Sequence, residues 1–466
     1  MKYFAIKIGI ILFGLISSRN IMAQKQASSS YPIGVFDSGT GGLTVLEAML
    51  TLDEFNNETG KLGKDGKLDF EKEYFQYLAD QANMPYGNYA AENKTELLKE
   101  HILKNMTFLI NNSFEESRKN LWTTMSKPQA KMLVLACNTA TAYALNDIRQ
   151  FLASDHKNIP TIGVIDAGVK AALQFQQQNE VGAIGVFATA GTVASDGYPR
   201  TLRLIAKAKG MAEPIIISQG GAGLAESIDR DWSYFVDTIK QYRKEYKGPS
   251  MLNGLYKIDT ALFSAYQFNK TGNKLLCEFD DKGNCLDVQL NNPENYVRYH
   301  LVSLLEKSRS DKTSKPMNTL ILGCTHYPFM RAIIHNVLDE LYNYKKDGKY
   351  RYREVLAKEV ALIDPSFETA KEAYLTMRKL KLENQFEAKK SNQFFITVPN
   401  TSLPDIKLQE DGWFTYDYKY GRTAGEQKSY INYVYFDQNN ISEETYFRIK
   451  LALPNAYREI NRSKSQ

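Results

Sequence analysis

Cysteine is scarce in this chain: 466 residues hold four, Cys137, Cys277, Cys285 and Cys324. No His/Cys spacing resembles a zinc site, and Cys277 and Cys285 lie in a polar stretch without a His-x-x-x-His partner, so no metal is expected. No lysine-centred motif points to pyridoxal phosphate, and the expected cofactors are none. Charge of one sign is also lacking. The formal net charge is +5, but Lys2, Lys7 and Arg19 fall in the first 23 residues, which contain no acid, leaving +2 for the remainder. That is no nucleic-acid footprint. The one apolar run near the start, Ile8 to Ile16, is too short to span a bilayer comfortably. Nothing in the composition suggests collagen, a coiled coil or global disorder.

What is present is a globular chain, 43% hydrophobic and long enough for two sizeable cores. It opens on "MKYFAIKIGIILFGLISSRNIMAQKQ", a basic start, an apolar run and a cleavage point after Ala23. This is the layout of a secretory signal peptide over residues 1–23, with an uncleaved anchor or an amphipathic start as the alternative. Ile21 at the −3 position and Arg19 in the cleavage region depart from the pattern. No cysteine lies near the cleavage point, so no lipoprotein modification is expected. The expectation is an exported protein, periplasmic or secreted, with no stable membrane span after signal cleavage.

Beyond a serine-rich joint, "YPIGVFDSGTGGLTVLEAML" reads as strand, glycine turn and amphipathic helix. Residues 53–72 read as a surface excursion, followed by a second strand in "EYFQYLADQANMPYGNYA" and a helix from Ala91 to about Asn111. Strands and helices keep alternating through "IPTIGVIDAGVKAAL" and "VGAIGVFATAGTVASDGYPRTL", which favours parallel α/β sheets. Two strand-end turns are used twice: "IGVFDSGTGG" matches "IGVFATAGTV", and "LVLACNT" matches "LILGCTH". This weak internal repeat suggests two similar α/β domains. Residues 231–316 read as a polar elaboration, and "FFITVPN", "GWFTYDYKY" and "SYINYVYFD" as further strands before a final helix near Glu443 to Ile460.

Cys137 and Cys324 both end a strand, where open α/β sheets bind ligands. A helix N-terminus there is expected to lower a thiol pKa from about 8.5 toward neutrality. The plain alternative for each is a small buried hydrophobe; the matched settings and the neighbouring Asn138, Thr139 and His326 argue for function. Two thiols on opposite sides of one carbon suit inversion of that centre, in which one removes a proton from one face while the other delivers a proton to the opposite face.

The motifs "IGVFDSGTGGLTVL", "MPYGN", "LVLACNTATA", "IGVIDAG", "GVFATAGTVASDGY", "LILGCTHYPFM" and "IDPS" together resemble the glutamate racemase family, the cofactor-independent aspartate/glutamate racemases. The resemblance covers most of residues 31–370. It implies two α/β domains with mostly parallel sheets facing each other across the active site, plus insertions and a β-rich C-terminal extension. The first domain would be discontinuous, residues 31–163 and 363–466; the second would be 164–362, with an insertion at about 231–316. Cys137 and Cys324 would be the acid/base pair, with Asp37 and His326 assisting. Asp37, Ser38, Tyr86, Gly87, Asn138, Thr139, Thr189, Thr325, His326 and Glu226 would line the substrate site, with Thr192 near Thr189. The implied activity is racemisation of glutamate, its partner a small amino-acid substrate, and a homodimer is one candidate state.

Some features depart from the family. Gln81, Ala82 and Asn83 stand where a Thr-Ala-Arg type sequence is usual, "VIDAG" replaces a Glu-Pro pair, and the insertion at 53–72 is positioned to shape the mouth of the site. These bear on substrate identity, so aspartate or another amino acid stays open. A cell-wall role implies a cytoplasmic enzyme, which conflicts with the export signal. "DSGTGG" gives only G-x-G-x-x-T over Gly39, Gly41 and Thr44, without an acidic ribose partner, which argues against a dinucleotide loop. The retained pair of cysteines argues against a single-cysteine decarboxylase and against a binding protein without turnover, while "PYGN" and "CTHYP" tell against a maleate-type isomerase. Cys277 and Cys285, flanking a Lys-Gly-Asn turn in "CEFDDKGNC", are placed for a local disulfide; sulfurs flanking a substrate carbon stand too far apart to bond.

Overall fold

The computed structural model describes residues 29–118, 121–155, 157–311, 315–385, 391–426 and 428–463. Two mostly parallel sheets organise them. The first has six strands in the order Ile431–Tyr435, Gln393–Pro399, Phe75–Ala79, Ile33–Asp37, Met132–Leu135 and Thr161–Gly163. All its neighbours run parallel except the edge strand Ile431–Tyr435, which is antiparallel to Gln393–Pro399. The second sheet is parallel throughout, in the order Leu356–Ile363, Met317–Gly323, Ala183–Ala188 and Ile216–Gly220.

The strand sequences follow from burial on both faces, which selects continuous apolar runs over alternating ones. Every residue of Ile33–Asp37, Phe75–Ala79 and Met132–Leu135 is buried. The pleat sends neighbours to opposite sides: Val35 and Val134 join one apolar cluster, and Phe36, Leu133 and Leu135 join another with Ile102, Met106 and Ile148 of the covering helices. In the second sheet Leu320 and Leu322 pack with Val297, Leu301 and Leu305 of the helix Pro293–Ser310 and with Ile334 and Val337 of the helix Arg331–Asn343. Ile184, Val186 and Ile321 of that sheet turn the other way, into the cluster that holds Val35 and Val134. The two sheets therefore share one continuous apolar interior, bridged by helices Val164–Gln178, Gly197–Ala208 and Pro365–Leu380.

Three sequence expectations are corrected. "GWFTYDYKY" contains the helix Tyr416–Gly421, started by Thr415, whose side chain accepts from the Tyr418 amide. Tyr416 and Tyr420, four residues apart, pack ring on ring at 4.6 Å, a contact that helical spacing creates and strand spacing does not. The expected single final helix is two, Glu443–Ala452 and Pro454–Ser463, because Pro454 removes the amide needed to continue the first. Among the described residues, 53–72 does not line the cavity described below. It packs on helix Pro365–Leu380 instead, where Phe55 stacks on Tyr374 at 4.7 Å and Arg378 donates to the Asn57 carbonyl. Cys277 and Cys285 form the expected disulfide, closing the hairpin of strands Leu275–Phe279 and Cys285–Leu290 with Cα atoms 5.8 Å apart.

Candidate active site

Asp37 ends one strand of the first sheet, and Cys137 follows another by two residues; Thr189 and Cys324 follow strands of the second. Parallel strands expose their carboxyl ends on one edge, and here the edges of both sheets open onto a cavity of about 820 Å³. Asp37, Ser38, Tyr86, Gly87, Cys137, Asn138, Thr139, Thr189, Thr192, Glu226, Cys324, Thr325 and His326 all line it. Cys137 and Cys324 are both buried and unbridged.

Cys137 takes the N-cap position of helix Asn138–Ser154, and its sulfur accepts from the Ala140 amide at 3.4 Å. Apolar residues Ala140, Ala144, Leu145, Ile148 and Leu152 bury one face of this helix and fix where its N-terminus points. The thiol also donates to Ser38 Oγ at 3.4 Å. Burial pushes Cys137 up to about 12, with the nearby Asp37 charge adding to the rise and the Ser38 and Ala140 bonds opposing it. The expected lowering by the helix is thus outweighed by desolvation. Asp37 is itself raised by burial, against bonds from the Gly42, Gly39 and Ser38 amides. Its Oδ2 accepts from the Gly39 amide at 2.9 Å. Gly42 makes this packing attainable, since a Cβ there would stand 2.5 Å from Asp37 Cβ. Beside Cys137, Asn138 Oδ1 accepts from the Tyr198 hydroxyl at 2.9 Å, which fixes the amide's orientation.

Cys324 has a different setting. Strand Met317–Gly323 is followed by a short 3₁₀ turn, Tyr327–Met330, before helix Arg331–Asn343 begins, so the sulfur does not cap a helix. Its partner is His326, whose Nδ1 stands 3.6 Å from Cys324 Sγ. His326 Nε2 pairs with Asp229 Oδ1 at 3.1 Å. Burial alone would lower His326; the Asp229 carboxylate and the Cys324 sulfur overrule it and raise the imidazole to about 10. A cation therefore sits beside this thiol. Glu226, also on the cavity wall, is raised by burial, with Asp229 and Asp231 adding to the rise and His326 opposing it.

The turn carrying Tyr86 and Gly87 is held by a buried polar cluster. Tyr86 donates to Asp80 Oδ2 at 2.5 Å, and Thr397 donates to Asp80 Oδ1 at 2.7 Å. Thr397 belongs to a C-terminal strand, so the extension buttresses the site. Sequence reasoning missed Thr40, Asp229, Tyr234, Lys247, Tyr256, Trp413, Thr445 and Arg448, which also line the wall. Asp229 had a local signal, standing one helical turn after Glu226 in "GLAESID"; Arg448 had none.

No family model matches the chain. Among curated proteins it is 27% identical over 368 residues to the glutamate racemase of Oceanobacillus iheyensis, covering 78% of this chain and 86% of the relative. It is 29% identical over 395 residues to the glutamate racemase of Listeria innocua, covering 81% and 98%. The chain is a relative of the glutamate racemases. By that relationship it falls in the isomerase class. Solved structures that align include a glutamate racemase isoform from Bacillus anthracis, at TM-score 0.45 and 22% identity, covering 78% of this chain and 88% of that one. Another is the glutamate racemase from Aquifex pyrophilus, at TM-score 0.36 and 21% identity, covering 84% and 96%. The relatives also correct the expected export: glutamate racemases are typically cytoplasmic enzymes, and the signal-peptide reading of residues 1–23 is withdrawn on that finding. Those residues lie outside the described part of the chain. Among the described residues, no helix is long and apolar enough to cross a membrane.

Proposed function

We propose that this amino-acid racemase interconverts L- and D-glutamate without a cofactor, Cys137 and Cys324 exchanging the roles of base and acid at the substrate α-carbon. The observation that carries the reading is the pair of buried, unbridged thiols, each just beyond the carboxyl end of a strand from a different sheet, opening into one cavity. One thiolate takes the α-proton; the other thiol returns a proton to the opposite face.

The surroundings of the two sulfurs support different roles for them. Cys137, pushed up to about 12, rests as the neutral thiol and therefore as the acid. The cationic His326 stands 3.6 Å from the Cys324 sulfur, where it is placed to assist that thiol in the role of base. After one turnover the charges are exchanged, and Asp37 and His326 assist their return. Ser38, Asn138, Thr139, Thr189 and Thr325 supply hydroxyls and amides for the substrate carboxylates, and Glu226 supplies an acidic wall for the ammonium group. Tyr86 and Gly87 share the cavity wall with Thr189. The division into a discontinuous first domain, residues 31–163 and 363–466, and a second, 164–362, belongs to the same proposal; the membership of the two sheets supports it. Supply of D-glutamate to cell-wall precursors is the physiological role that follows.

The test is a chiral assay of L- and D-glutamate and L- and D-aspartate without added cofactor, run with exchange of the Cα hydrogen in D₂O. Glutamate is expected to racemise, and Cys137→Ala and Cys324→Ala each to lose activity in both directions. Loss of a general acid or base typically costs about 10² to 10⁴, so either variant keeping more than about a hundredth of wild-type turnover refutes the pair. Preferred turnover of aspartate moves the substrate assignment, and binding without Cα exchange removes the racemase reading.

A further inference from the structure

The end of the described chain reaches the site. Helix Pro454–Ser463 is rooted on helix Leu43–Thr51, where Asn455 Nδ2 and the Ala456 amide donate to the Glu47 carboxylate at 2.8 and 2.7 Å. The preceding helix, Glu443–Ala452, is thereby carried to the cavity, and Thr445 and Arg448 join its wall. Arg448 makes three contacts there, one of them on the imidazole itself, its Nη1 standing 3.5 Å from His326 Nε2. Its Nη2 donates to Thr40 Oγ1 at 3.0 Å, in the turn after the Asp37 strand. Its Nη1 pairs with Asp229 Oδ2. The other oxygen of that carboxylate, Oδ1, stands 3.1 Å from His326 Nε2, and His326 Nδ1 stands 3.6 Å from Cys324 Sγ. One side chain thus bridges the first-sheet side of the cleft to the second and begins a line of contacts that ends on sulfur.

A carboxylate gripped by a cation at each oxygen is fixed in rotation; with one cation removed it can turn away from the other. The grip needs donors pointing in two directions at once, which a planar guanidinium provides and a lysine ammonium does not reproduce. We infer that Arg448 is a positioning residue: by holding Thr40 and Asp229 together it fixes the Asp229 carboxylate against His326, and so holds the imidazole at Cys324. Its kinetic consequence rests on the proposed racemisation; its effect on the thiol rests on the geometry alone.

The test compares Arg448→Met and Arg448→Lys in the full chain, with two readouts. The first needs no turnover. Unliganded protein is exposed briefly to iodoacetamide, and labelling of Cys324 and Cys137 is quantified on separate peptides. Loosening the imidazole weakens its stabilisation of negative sulfur, so the Cys324 to Cys137 ratio is expected to fall on the order of tenfold in Arg448→Met, with Arg448→Lys between. Simple opening of the cavity raises both labels and leaves the ratio in place. The second readout is racemisation itself. A misplaced catalytic group costs about 10²-fold, so kcat is expected to fall by that order with a smaller change in KM. The isotope effect from Cα-deuterated substrate should rise only for the enantiomer whose proton Cys324 removes. An unchanged labelling ratio overturns the inference, as does a raised KM with kcat and isotope effects intact. A wild-type protein that racemises nothing, with a ratio that still responds to Arg448, defeats the proposed function and leaves the positioning role standing. Asp229→Asn breaks the same line one contact nearer the sulfur and serves if Arg448→Met fails to fold; a wild-type ratio in that variant also overturns the role.

Discussion

The ionisation of Cys137 is open to direct measurement. A thiol with the ordinary value of 9.0 is half ionised at pH 9, whereas Cys137 is pushed up to about 12. The three-unit difference corresponds to about 4 kcal/mol against forming the thiolate, so about one molecule in 10³ carries it at pH 9. The perturbation is Asp37→Asn, which removes the charge that adds to burial at this sulfur. In the assay, iodoacetamide labelling of the Cys137 peptide is followed by mass spectrometry from pH 7 to 11, with circular dichroism confirming that the fold persists. Wild-type labelling is expected to rise about tenfold per pH unit without levelling off below pH 11. In Asp37→Asn the profile should move to lower pH but stop short of 9, because burial is the larger cause. A wild-type plateau at pH 9 or below would refute the reasoning, since it would mean that the Ala140 amide and the helix N-terminus outweigh desolvation.

Three further outcomes are expected. His326 is raised from 6.5 to about 10 in the folded protein, so its contribution to stability is fully present below pH 6.5 and lost as pH rises through about 10; urea unfolding of wild type against His326→Gln should show a difference of at most about 5 kcal/mol shrinking over that window, and a pH-independent difference contradicts the assignment. Gly42→Ala places a Cβ 2.5 Å from Asp37 Cβ and 2.8 Å from Ala136 Cβ, so it should cost about 1–3 kcal/mol of stability and reduce turnover, and wild-type values for both would show that the two strand ends yield freely. Thiol titration of the denatured, unreduced protein should find two free thiols, at Cys137 and Cys324, and four after reduction; four before reduction would remove the Cys277 to Cys285 bridge.

Much of the fold was legible because parallel strands buried on both faces write themselves as continuous apolar runs. "IGVFD" and "MLVL" are such runs, and every residue in them is buried. Placement on the cavity wall was legible where a residue's position depends only on its own strand end, as with Asp37, Cys137 and Cys324. It was not legible where a contact depends on tertiary return of the chain. Arg448 meets Thr40 across 408 residues of sequence, and no local pattern in "EETYFRIKLA" distinguishes it from an exposed helical arginine. "GWFTYDYKY" misled for a related reason. Alternation of aromatic and polar residues marks a half-buried strand only where a sheet edge is there to receive it; here Tyr420 instead packs on Tyr89 at 4.8 Å, and the segment folds as a helix against the first sheet's covering layer.

The matched wording of "LVLACNT" and "LILGCTH" conceals a chemical difference between the two thiols. Both follow a buried parallel strand, and local sequence can specify that much. Cys137 then caps a helix beside a buried carboxyl group, while Cys324 enters a 3₁₀ turn beside an imidazole that is paired with Asp229. A symmetric pair would leave its single proton distributed equally between the two sulfurs. Under the proposed mechanism burial keeps a proton on Cys137 before substrate arrives, so the empty site favours the enantiomer whose α-hydrogen faces Cys324. The opposite direction must first move the proton off Cys137, against the burial that raised that thiol. The equilibrium constant of a racemisation is one, so kcat/KM is bound to be equal in the two directions. The cost of that proton transfer must therefore appear as unequal kcat and KM values that compensate. Equal kcat for both enantiomers, with equal isotope effects, would show that substrate binding erases the asymmetry built into the empty site.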